Sequence, residues 1–87
     1  MNSATNICKA IITRASILAH CKLTPEELID ARQGMVDTLT AADRVKIPWK
    51  LQNQLLYIGE NYDVRSRYLS ELLQMACDRA GIEGVIP

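Results

Sequence analysis

Four residues in the first and last quarters of the chain have side chains suited to metal or nucleophile chemistry: Cys8, His20, Cys21 and Cys77. Thiolates and an imidazole are the ligand types of tetrahedral zinc. A thiol beside the chain's one histidine could in principle act as an activated nucleophile. The spacing supports neither use. It matches no compact zinc finger, and no Cys-x-x-Cys occurs. Sequence neighbours on a helix point about 100° apart, so Cys21 faces away from the ring of His20. Cys8 and Cys77 fall on apolar faces, where a cysteine is usually a small core residue. Glu26 and Glu27 are explained by helix capping before acid–base work. The four glycines stand apart, so no loop can cradle phosphate. The expectation is a chain with no enzymatic activity, no metal and no cofactor.

A different cluster carries the recognition chemistry. Residues Arg44 to Lys50 read RVKIPWK and hold three cations, a proline and the one tryptophan. Tryptophan and arginine are the residues most enriched at interface hot spots. A proline holds such a patch in shape at little entropic cost. Arg44, Lys46, Trp49 and Lys50 are therefore the candidate partner-binding residues. The competing reading makes the stretch a plain joint, with Pro48 starting a helix and Trp49 packed back over the N-terminal helices.

Composition sets the frame for both. At 87 residues and 48% apolar, the chain suits one domain, residues 1–87, with an aliphatic core, since it has no Phe, one Trp and three Tyr. Net charge is zero, so no global field draws it to nucleic acid or to a membrane. An odd count of three cysteines argues for a reducing compartment, hence a cytoplasmic protein. No run approaches a membrane span. Leu18-Ala19-His20-Cys21 faintly resembles a lipoprotein cleavage box, but His20 is too large for its position and Arg14 interrupts the apolar run before it.

The elements that must position these residues read as helices. Ile7, Cys8, Ile11, Ile12, Ala15, Leu18 and Ala19 form an apolar stripe over residues 3–20, with Lys9, Thr13 and Ser16 opposite. A second helix over 25–38 has a strong start: Thr24 as cap, Pro25 at the first position, Glu27 reaching back. Gly34 inside it points to close contact with another helix. Thr40-Ala41-Ala42-Asp43 reads as a weaker cap before a short turn near 41–46. Gly81 closes the last helix as a left-handed cap.

Leu51, Leu55, Ile58, Tyr62, Arg65, Leu69, Leu72 and Ala76 recur at spacings of four and three. That pattern predicts a heptad seam on one continuous helix over 48–80, or on a helical hairpin broken near Gly59 to Asp63. The seam is longer than two short helices need to cover, so a homodimer along it is expected. Arg65 would be its one charge, paired with Asp63 or Glu60.

The fold expected is therefore all-α, a small bundle of three to four helices. The function expected is a protein–protein interaction module or small regulatory or accessory protein, acting as a homo-oligomer. The alternative is a nucleic-acid-binding regulator using the basic residues around 44–50 and 65–67. A helix-turn-helix fits poorly, because Leu55 or Asp30 falls where the motif needs a small residue.

Overall fold

The computed structural model describes residues 3–63 of the chain, together with Tyr68, Glu71, Leu72 and Met75. Three helices organise the described residues: α1 (Ser3–His20), α2 (Pro25–Arg44) and α3 (Trp49–Asn61). No strand occurs among them, so the all-α, small-bundle expectation is met. Both α2 and α3 pack on α1, whereas α2 and α3 barely touch each other.

The start of α2 is built as its residue types dictate. The Thr24 hydroxyl accepts from the Glu27 amide at 3.2 Å, and Glu27 Oε1 accepts from the Thr24 amide at 3.1 Å. That reciprocal pair satisfies two donors the helix would otherwise leave open. The Thr24 amide, and then its hydroxyl, hold the Glu27 carboxyl below the usual carboxylate range. A lowered value means that the charged cap favours the fold at neutral pH. Its contribution fades as acid protonates Glu27.

Two boundaries differ from expectation. α2 does not stop near Thr38 but runs on to Arg44. The Thr40 hydroxyl, expected to cap a new turn, donates to the Val36 carbonyl at 2.9 Å, one turn back in the same helix. A threonine can make either bond, and continued burial of Ala42 selects the helical one. The helix over 48–80 is likewise not continuous. α3 ends at Asn61, and Tyr62 is extended (φ −129°, ψ 130°). The Asn61 side chain donates to the Tyr57 carbonyl at 2.8 Å, satisfying one of the last acceptors. With the break, a seam on one long helix loses its support. Leu51, Leu55 and Ile58 are buried in the chain's own core, and Tyr62 lies past the helix end. Leu72 packs part-buried against that core. Arg65, Leu69 and Ala76 lie outside the described residues, as do Arg67, Cys77 and the cap at Gly81. Over two turns, spacings of four and three only say that one face is apolar, and α1 is what covers that face.

The core joins Cys8, Ile11 and Ile12 of α1 to Ala42, Ile47, Leu51, Leu55 and Ile58. The stripe on α1 is rotated from the expected one. Ser16, assigned to the polar side, is fully buried and donates to the Tyr62 carbonyl at 2.7 Å. Ala19, assigned to the apolar side, is exposed. Gly59 explains the rotation. A Cβ there would lie 2.6 Å from the Ile12 carbonyl oxygen and 2.6 Å from Ala15 Cβ. Glycine alone lets α3 come this close to the backbone of α1.

Gly34 also faces α1, but its neighbour is the mobile end of a side chain: Arg14 Cζ would sit 3.1 Å from an added Cβ, with the guanidinium over it. The two glycines should therefore respond in opposite ways. Gly59→Ala should destabilise by ~1–3 kcal/mol through overpacking against backbone. Gly34→Ala should be neutral or stabilising by up to ~1 kcal/mol, as Arg14 swings aside and helix propensity improves. Denaturant unfolding of the two variants checks the contrast.

Candidate functional site

The joint between α2 and α3 has a defined frame. The Val45 amide donates to the Ala41 carbonyl at 3.1 Å, Lys46 to Asp43 at 3.0 Å and Ile47 to Ala42 at 2.9 Å. The last two bonds span three and five residues, which is the Schellman pattern of a helix C-terminus. Ile47 and Ala42, the pair such a motif brings together, are both buried in the core. Lys46 occupies the left-handed position, with φ 62°. Glycine is the usual residue there, and its absence conceals the motif in the sequence.

Gln52, which sequence reasoning passed over, locks the joint from the other side. It is buried, and its side-chain amide donates to Asp43 Oδ1 and to the Ile47 carbonyl, both at 2.9 Å. Both donors of the amide are thus used. The only prior signal was position: Gln52 follows Leu51 directly, on the edge of the apolar stripe.

Against this frame the candidate partner-binding residues face outward. Arg44, Lys46, Trp49 and Lys50 are all exposed, and Trp49 retains 67% of its accessible surface. The alternative in which Trp49 packs over the N-terminal helices is corrected here. The residue of this stretch that enters the core is Ile47, at 5% exposure. The reason lies in register. Leu51, Gln52, Leu55, Ile58 and Gly59 face inward, which turns Trp49, Lys50, Asn53 and Tyr57 to the opposite side of α3. Tyr57 is as exposed as Trp49.

Within the stretch from Asp43 to Lys50, Arg44, Lys46 and Lys50 stand beside one carboxylate, Asp43, which accepts from the Gln52 amide. From Lys50 along α3 the next acid is Glu60. No side chain caps α3, whose N-cap is Pro48, and its first turn carries no acid.

Two further surfaces were not expected. Ala15, Leu18 and Ala19 of α1, Met35 and Leu39 of α2, and Leu56 and Glu60 of α3 line an apolar groove of about 380 Å³. It lies over α1 in the gap between α2 and α3, which barely touch each other. Ile29 and Val36, seven residues apart on one face of α2, are also exposed.

Of the residues considered for metal or nucleophile chemistry, the three that are described do not gather. Cys8 is in the core, while Cys21 is exposed just beyond α1. His20 is exposed on the last turn of α1. Among the described residues, no three His, Cys, Asp or Glu side chains come together to hold a metal ion. Within the same residues, no helix is long and apolar enough to cross a membrane.

Comparison of the chain with protein-family models, with curated proteins and with solved structures finds no match.

The left-handed position yields a direct check of the joint. A non-glycine residue there carries roughly 1–2 kcal/mol of strain. Lys46→Gly should relieve it while loosening the unfolded chain, for a net stabilisation of about 0.5–1 kcal/mol. Thermal or urea unfolding measures this. A destabilised variant would mean that Lys46 contributes to the fold through its side chain.

Proposed function

We propose that the chain is a non-enzymatic protein-binding module that docks a partner protein on the joint between α2 and α3. The contact residues are Arg44, Lys46, Trp49 and Lys50, extended along the outer face of α3 by Asn53 and Tyr57. The observation that supports this reading is the exposure of Trp49 at 67% of its surface on a joint fixed by a Schellman turn and Gln52. A large aromatic side chain held out from a rigid frame loses little freedom on binding and gains a large apolar contact. The core does not need Trp49, so stability gives no reason for a tryptophan at this position.

The homodimer expected along residues 51–76 is not carried forward, because the Leu51, Leu55 and Ile58 side chains that would form it already pack against α1. A regulator that binds nucleic acid through residues 44–50 shares the same cations and is separated from the proposal by experiment.

Trp49→Ala is the decisive substitution. A core tryptophan would cost ~3–5 kcal/mol on truncation. Here the melting temperature should shift by no more than a few degrees, equivalent to under about 1 kcal/mol. Proteins retained from host lysate by the wild-type chain should be lost with Trp49→Ala and survive nuclease treatment. Retention that is unchanged by Trp49→Ala, or abolished by nuclease, would contradict the proposal.

A further inference from the structure

We infer that the partner segment taken by the α2–α3 joint is acidic and amphipathic: carboxylates beside one or two large apolar side chains. This rests on the reading of the joint as a docking surface and adds the chemistry of what docks.

Three features of the surface lead to it. The first is charge. Arg44, Lys46 and Lys50 lie within seven residues, and none of their side chains makes an ion pair with a described residue. In a chain of zero net charge, such a concentration is local and not part of a general basic character. The second is the neighbouring acid. Asp43 Oδ1 accepts from the Gln52 amide, and this exposed carboxylate is one negative charge beside three positive ones. The third is the apolar component. Trp49 and Tyr57 lie within about a quarter-turn of each other on α3, and each keeps about two thirds of its surface exposed.

Cations around an apolar centre are complementary to carboxylates around an apolar anchor, an arrangement that steers encounter and fixes register. A purely apolar partner would leave the ammonium groups and the guanidinium desolvated without compensation. A basic partner would be repelled. Nucleic acid would satisfy the cations, but the outer face of α3 continues with Asn53 and Tyr57, and no cation follows Lys50 on that helix.

Trp49 is the chain's one tryptophan and sits inside the proposed contact, so its emission reports binding without a label. The test titrates the full chain with a helical peptide of Leu and Glu, the same peptide with Gln for Glu, and the same with Lys for Glu. Mixed-sequence single- and double-stranded DNA are titrated alongside. The expected result is a blue shift of Trp49 with the Glu peptide, at least tenfold weaker binding of the Gln peptide and none of the Lys peptide. Raising salt from 50 to 500 mM should weaken the Glu peptide about tenfold, because exposed charges are screened. The double variant Lys46→Glu with Lys50→Glu, confirmed as folded by circular dichroism, should reverse the order and prefer the Lys peptide. That reversal is not expected of a merely structural role.

Equal binding of the Glu and Gln peptides, no blue shift with the Glu peptide, or an unreversed preference in the double variant would each overturn the acidic partner. None of these touches the broader reading, which fails separately if Trp49→Ala leaves protein capture unchanged. DNA binding tighter than the Glu peptide would overturn both.

Discussion

The close approach of α1 and α3 at Gly59 is the constraint on which the other features depend. A helix can lie with its backbone against another only where it carries no side chain, and Gly59 supplies that gap opposite Ile12, Ala15 and Ser16. The contact fixes the rotation of α3 about its own axis. Leu51, Leu55 and Ile58 then point into the core, and no freedom remains over where Trp49 goes. It must face solvent. The same approach brings Ser16 within reach of the Tyr62 carbonyl, where its hydroxyl satisfies an acceptor at the end of α3. A buried hydroxyl with no partner would be destabilising. Among the described residues, no buried side-chain nitrogen or oxygen lacks one.

The joint translates that rotation into a surface. Its backbone bonds close α2, its Ile47 side chain anchors the turn in the core, and Gln52 ties Asp43 to the Ile47 carbonyl. The Schellman turn with its Ile47 contact and the Gln52 side chain together hold the joint. Glycine in place of Lys46 would remove the strain accepted there and would also remove a cation from the patch.

Local signals proved legible in the sequence, and signals that depend on a neighbouring helix did not. The start of α2 is written in Thr24, Pro25 and Glu27, because each acts within four residues of its own position. The apolar stripes gave the helical class for the same reason. The end of α2 was hidden because Lys46 takes a position that usually advertises itself with glycine. Ser16 and Gln52 look like surface residues by type, and only the packing of α3 on α1 and the turn beneath it gives them buried partners. The continuous helix expected over 48–80 was not legible because regular spacing carries no information about where a helix breaks or which helix covers its apolar face. The stretch RVKIPWK stands out in the sequence by its residue types alone. The exposure of its residues was not decidable from sequence, since it follows from the register set at Gly59, ten residues beyond Trp49.

The most direct measurement of this account is collisional quenching of Trp49 in the free protein, with an anionic and a cationic quencher compared. A tryptophan held in solvent among Arg44, Lys46 and Lys50 should emit at long wavelength and be quenched readily. Relative to free N-acetyltryptophanamide, the ratio of iodide to caesium quenching should be raised, with the excess shrinking as salt screens the cations. A blue-shifted emission protected from both ions would place Trp49 in the core and contradict the account. Strong quenching with the same iodide-to-caesium ratio as the free derivative would contradict the charge surrounding it.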